Sequence, residues 1–161
     1  MYQTHPIPPL FDQNSKVLIL GSFPSVKSRE QGFFYGHPQN RFWRVLAAVF
    51  DAPVPQTVKE KTALVLQNHL ALWDVIAACE ITGSSDSSIK HVVPNAVENI
   101  LDVCAIDHIY TNGQTAAKLY ARYLEPVLQR KAIYLPSTSP ANAAWTLERL
   151  CESWQRVRTG E

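Results

Sequence analysis

The sequence is marked first by what it lacks. No apolar run in its 161 residues is long enough to span a bilayer, which takes about 20 apolar residues. The opening MYQTHPIPPL has no apolar signal-peptide core. Both absences lead us to expect a cytoplasmic protein with no membrane partner. Cysteine is sparse: Cys79, Cys104 and Cys151 lie far apart and form no CxxC pair. A zinc or iron–sulfur site is therefore not expected, and the three read as small buried hydrophobes in a reducing compartment. Excess charge of one sign is missing too, with 15 basic and 14 acidic residues giving a net +1. That is no basic footprint for nucleic acid, so any grip on a phosphate backbone must come from a local patch, backbone amides and hydroxyls. There is no GxSxG elbow and no Gly-rich phosphate fingerprint, which removes support for a small-molecule α/β hydrolase. Internal repeats and low-complexity tracts are also absent.

What is present reads as one domain, residues 1–161, of ordinary globular composition, 46% hydrophobic and 18% charged. Residues 1–15 form an extended lead-in. KVLIL, ending at Gly21, is a buried strand feeding a loop of about twenty residues, and loops that long are usually functional. A helix is expected from about Asn40, ended by Pro53 and Pro55, with Phe42, Val45, Leu46, Val49 and Phe50 at helical spacing. Thr57 with Glu60 has capping-box spacing and opens a second helix to about Leu70. LALWDVIA reads as a short strand and ITGSSDSSIK as a polar loop. Asn95 with Glu98 suggests another capping box. DHIY is a strand ending at Thr111-Asn112-Gly113, followed by a helix that stops before Pro126. AIYL is the last strand, and the final helix carries Ala143, Leu147, Leu150, Cys151, Trp154 and Val157 at 3.6-residue spacing. Alternating strands and helices predict a parallel sheet covered on both faces. The loops at 21–39, 111–113 and 136–140 should then converge beyond the strands' carboxyl ends.

Two of those loops carry chemistry. GFFYGHPQNRFW places aromatic rings beside small residues, a composition that can sandwich a flat base. Phe42 and Trp43 fall inside the helical pattern and are core; Tyr35, flanked by Gly36 and a His-Pro turn, is open to either role. In PSTSP, Ser139-Pro140 fits an N-cap followed by proline at the first helical position. Ser137, Thr138 and Ser139 would then surround amides that hold an anion without lysine. An ordinary capped helix has the same pattern.

In order along the chain, GSFPS, HPQNRFW, LWDV, GSSDSSI, TNG and STSPANA resemble the uracil-DNA glycosylase superfamily, most of all its hypoxanthine-DNA glycosylase branch. The resemblance covers roughly residues 16–146. It implies a three-layer α/β/α fold with a small, mainly parallel four-stranded sheet, and no cofactor or metal. It also implies a monomeric, monofunctional enzyme whose partner is DNA carrying a deaminated base. Asn40, of the HPxN segment, takes the catalytic role; as an Asn before a helix it also suits an N-cap. The resemblance puts Ser22, Phe23, Tyr35 and Asn112 on the base and Ser25, Ser137, Thr138, Ser139 and Asn142 on DNA. Asn112, with an amide that both donates and accepts, suits reading a base edge; His37 fits better as a loop anchor. One departure stands out: several branches have a carboxylate or Asn handling water where this chain has Ser22, a poor base. A uracil- or mismatch-type glycosylase and a non-catalytic DNA-binding module on the same fold are the alternatives.

Overall fold

The computed structural model describes residues 1–160. Val17–Gly21 forms β2, with Leu18, Ile19 and Leu20 fully buried. A strand apolar on both faces belongs inside a parallel sheet. Its neighbours are β3 (Leu70–Asp74) and β6 (His108–Asn112), and β7 (Ile133–Leu135) pairs with β6. The order is β3-β2-β6-β7 and every pairing is parallel, the four-stranded sheet the sequence predicts.

Helices cover both faces. On one side Phe42, Trp43 and Leu46 of α2 (Phe42–Val49), Val65 of α3 (Val58–Gln67) and Leu150 and Trp154 of α7 (Leu147–Thr159) close over Ile19, Leu72 and Tyr110. On the other side Ile100 of α4 (Glu98–Val103) joins Tyr120 and Leu124, just beyond α5 (Gln114–Leu119), over Leu18, Leu20 and Ala71. The Thr57–Glu60 capping box forms as expected, with Glu60 N–H donating to Thr57 Oγ1 at 3.1 Å and Thr57 N–H to Glu60 Oε1 at 3.2 Å.

Several local expectations fail for identifiable reasons. LALWDVIA is not one strand: it divides at Val75 into β3 and β4 (Ile76–Glu80). β4 joins β1 (Tyr2–Thr4), from the lead-in, and β5 (Lys90–Pro94) in a second, antiparallel sheet of order β1-β4-β5. Asn95 caps no helix. Its buried amide donates to the Asp74 and Ile76 carbonyls at 2.9 and 3.1 Å, stitching the β3–β4 kink, and α4 begins at Glu98 behind the N-cap Val97. The helix before Pro126 continues past it. A π-helical stretch, Tyr120–Leu124, leads into α6 (Glu125–Leu128) with Pro126 in its first turn, where a missing N–H costs least.

The last helix also starts later than Ser139-Pro140. Its N-cap is Thr146, which accepts from Arg149 N–H at 3.2 Å. The Arg41 guanidinium holds the carbonyls of Ser139, at 3.0 Å, of Asn142, at 3.1 Å, and of Trp145. With those acceptors engaged, the segment is laid down as successive turns, Asn142 N–H to Ser139 O and Trp145 N–H to Asn142 O.

Candidate active site

Parallel register lines up the strand ends. Gly21 sits opposite Asp74, Leu20 opposite Thr111, and Asn112 opposite Leu135. The segments leaving β2, β6 and β7 therefore open at one edge around a cleft of about 340 Å³, at the lower end of the range for small-molecule sites. Ser22, Phe23, Ser25, Tyr35, Asn40, Asn112, Ser137, Thr138 and Ser139 all line it, residues drawn from three separate segments. Asn142 does not; its amide donates to the Ser137 carbonyl at 3.0 Å and braces the loop from behind.

A three-residue network fixes the centre. Thr138, fully buried, donates through its hydroxyl to Asn40 Oδ1 at 2.8 Å and accepts from Asn112 Nδ2 at 3.0 Å. Its backbone N–H donates to Asn112 Oδ1 at 3.0 Å. Asn40 Oδ1 also accepts from Phe42 N–H at 2.9 Å. Both lone pairs of Asn40 Oδ1 are thus occupied, the amide cannot flip, and Nδ2 is left as a donor for the cleft. Asn40 is not the N-cap that its position suggests: α2 is capped at Arg41, which makes no side-chain cap bond, and Asn40 Oδ1 instead closes a turn onto Phe42 N–H, leaving the amide an aimed donor. Thr138, expected to face DNA, is turned inward to hold the two asparagines.

The sequence model of the "Uracil DNA glycosylase superfamily" matches residues 8–158. The chain belongs to this superfamily. A "Hypoxanthine DNA glycosylase" of Methanosarcina acetivorans is 33% identical over 155 residues, covering 93% of this chain and 94% of that one. Another protein of that name, from Methanosarcina barkeri, is 31% identical over 125 residues, 76% of this chain and 75% of its own. The solution NMR structure of a candidate uracil DNA glycosylase from Methanosarcina acetivorans superposes with a TM-score of 0.83 at 29% identity. That match covers 99% of this chain and 98% of the other. The four-stranded parallel sheet with its covering helices is thus the fold of this superfamily.

The remaining walls of the superfamily cleft are built by aromatic rings and hydroxyls. Tyr35 stacks on Phe42 with ring centroids 3.9 Å apart and planes 17° apart. It reaches that position with a left-handed backbone, φ 52°, a conformation that costs a non-glycine residue about 1 kcal/mol or more. Its hydroxyl is buried near the Asn112 amide, yet no hydrogen bond of ordinary geometry forms. Burial, reinforced by the Asp74 charge and only partly offset by Asn112, pushes the phenol pKa far up and keeps it a donor. Phe23 meets His5 edge-on at 6.0 Å. Ser25 caps α1 (Val26–Gln31), accepting from Ser28 N–H at 3.2 Å. His37 Nδ1 accepts from Gln39 N–H at 3.1 Å, which anchors its loop. Ser137 Oγ accepts from Ser139 N–H and Ser139 Oγ from Ala141 N–H, both at 3.1 Å, so each hydroxyl keeps its own hydrogen to donate.

Three functional candidates escaped sequence reasoning. Asp74 closes β3 with a buried carboxylate on the cleft floor, and His5, from the lead-in, holds its Oδ2 at 2.7 Å. Ile7 N–H donates to His5 Nδ1 at 3.2 Å, so Nδ1 carries no proton and the neutral ring donates from Nε2. The signal was there in LALWDVIA, where a carboxylate interrupts an apolar run. Gly21 is what leaves Asp74 room: a Cβ there would collide with Oδ1 and come within 3.1 Å of the Tyr35 hydroxyl. Asp86 is the third. It is exposed at the cleft mouth, with its carboxyl turned in to accept from Ser22 Oγ at 3.3 Å. Burial of the carboxyl raises its pKa; hydrogen bonds from Ser22 and Thr115 pull it back, and the Asp74 charge raises it further. Arg29 fixes this loop, donating to the Gly83 carbonyl at 2.6 Å.

Among the described residues no Lys or Arg lines the cleft. Among the described residues no group of three or more His, Cys, Asp or Glu is placed to hold a metal ion, and no helix is long and apolar enough to cross a membrane.

Proposed function

We propose that the chain is a DNA glycosylase that flips a deaminated base, hypoxanthine first, out of DNA and hydrolyses its bond to deoxyribose. The observation that carries this reading is the pinned Asn40 amide, whose Nδ2 is the one end left to act in the cleft. Glycosidic cleavage leaves an oxocarbenium-like sugar and builds negative charge on the departing base. A preorganised neutral donor stabilises that charge without competing with water. Flipping costs a few kcal/mol and is cheapest for a poorly paired, deaminated base. The extruded base lies on the floor between Asp74 and the Tyr35–Phe42 stack, leaving the sugar at the mouth.

An amide that only donates cannot take up the proton of the attacking water. Asp86, at the mouth beside Ser22, does so. As the C1′–N bond breaks its electron pair goes to the base, water oxygen bonds to C1′, and the water's proton passes to Asp86. The carboxylate that Ser22 lacks is thus supplied from another loop. Ser137 and Ser139 donate to backbone phosphate. The cleft is complete within one chain, which supports a monomer; the reading puts it in the cytoplasm, on the nucleoid in a prokaryotic cell.

The test is a panel of duplexes carrying a single hypoxanthine, uracil or xanthine, assayed for abasic sites. The reading expects hypoxanthine to be released fastest. Uracil leading the panel favours a uracil-type enzyme, and binding with no abasic product favours a non-catalytic module.

A further inference from the structure

Within that glycosylase reading, we propose that Asp74, aimed by His5, selects the base: its Oδ1 accepts the ring N–H that deamination creates. Deamination of adenine turns ring N1 from an acceptor into an N–H beside a carbonyl, and deamination of cytosine does the same at N3. A floor that recognises this change needs an acceptor for the N–H that cannot turn into a donor.

The His5–Asp74 pair meets both requirements. Because His5 Nδ1 is held by the Ile7 amide, Nε2–H must donate, and Asp74 Oδ2 must accept. Among the described residues none donates a hydrogen bond to Oδ1, which lies against Gly21, a residue without the side chain that would fill its place. Around the same point is the Tyr35 hydroxyl, buried, unpartnered and protonated, a donor matched to the adjacent carbonyl. Acceptor and donor side by side mirror the N–H and C=O of hypoxanthine or uracil. An undamaged adenine would set its N1 lone pair against a desolvated carboxylate and leave that charge unpaired. The same negative charge opposes the charge growing on the departing base, so selectivity comes at the expense of rate. His5 touches no substrate; it is a positioning residue.

Asp74→Asn tests this without changing shape. His5 still offers Nε2–H, so the carboxamide oxygen turns to it and the NH₂ faces the cleft, inverting the hydrogen-bond sign of the floor. The readout is single-turnover release from duplexes carrying hypoxanthine or unsubstituted purine, whose ring N1 accepts and which has no exocyclic group. Intrinsic leaving ability cancels when the hypoxanthine-to-purine ratio is compared between proteins. That ratio is expected to fall roughly 100-fold in Asp74→Asn. His5→Ala, with the carboxylate kept but unheld, should lower it about 10-fold without inverting it. The wild type itself, offered 1-methylhypoxanthine, should lose release by about 100-fold, a measurement that needs no folded variant. An Asp74→Asn protein that keeps the wild-type ratio, or a wild type indifferent to N1 methylation, overturns the role of Asp74 and leaves the glycosylase reading standing. A wild type that releases no base from any duplex overturns the glycosylase reading itself.

Discussion

Replacing Asn40 by Asp separates a donor from a water-handling acceptor. Asn40 Oδ1 is held at 2.9 Å by Phe42 N–H and at 2.8 Å by the Thr138 hydroxyl. An Asp side chain keeps both bonds with one oxygen and puts the other where Nδ2 stood. The cleft loses its donor, typically worth ~10²–10³ in rate. It also gains a negative charge facing the departing base. At about 5 Å and an effective dielectric near 20, two unit charges repel by about 3 kcal/mol; with roughly half a charge on the base, about 1.5 kcal/mol remains, some tenfold in rate. Asn40→Asp should therefore be about tenfold slower than Asn40→Ala. Stability should run the other way, because Asp preserves the hydrogen bond from Phe42 N–H and Ala forfeits it, at about 1 kcal/mol. Single-turnover base release and thermal melting on the two variants measure both orders. If Asn40→Asp matched or exceeded Asn40→Ala in rate, Asn40 would be handling water as an acceptor, and the donor assignment would be wrong.

Gly21→Ala drives a Cβ into the Asp74 carboxylate. Its stability should fall by about 1–3 kcal/mol, seen in denaturant titration, while base release falls by far more than that shift explains. The raised Asp86 pKa gives the pH profile its sign. A base works deprotonated, so single-turnover rate should fall as pH drops through a pKa above the ordinary carboxylate range. Asp86→Asn should be slow and lack that limb; an unchanged limb would place the titrating group elsewhere. Ser137→Ala with Ser139→Ala should weaken binding equally for hypoxanthine, uracil and undamaged duplexes, because phosphate contacts carry no base information. With no Lys or Arg lining the cleft, the salt slope should correspond to roughly two to four phosphates at about −0.9 each. A slope near that of a strongly basic binder, or a changed lesion ranking, would contradict this.

The legible parts of the fold were those where one residue type has one strong reason to be there. The apolar VLIL run required a buried strand, Thr57 and Glu60 could satisfy each other's backbone, and strand–loop–helix alternation fixed where the loops must meet. Asn95, Pro126 and Ser139-Pro140 misled because each motif has a second use that only tertiary contacts select. Asn95 was drawn to two strand carbonyls, Pro126 was absorbed by a π-helical stretch, and Arg41 claimed the carbonyls beyond Ser139. The site's polar loops were visible from their local chemistry. Its carboxylates were less so: Asp74 interrupts an apolar run, but its partner His5 lies 69 residues away and Ser22 reaches Asp86 across 64, pairings that no local pattern encodes.

The most direct test of the central claim is the product itself. Purified protein in excess is mixed with a duplex holding one labelled deoxyinosine, in buffer containing EDTA, and free hypoxanthine and abasic strand are quantified over time. The account predicts equal amounts of both, the sugar–phosphate strand uncut until alkali is added, and a rate at least about 100-fold lower for Asn40→Ala. Tight binding with no free hypoxanthine, or equal rates for the wild type and Asn40→Ala, would contradict it.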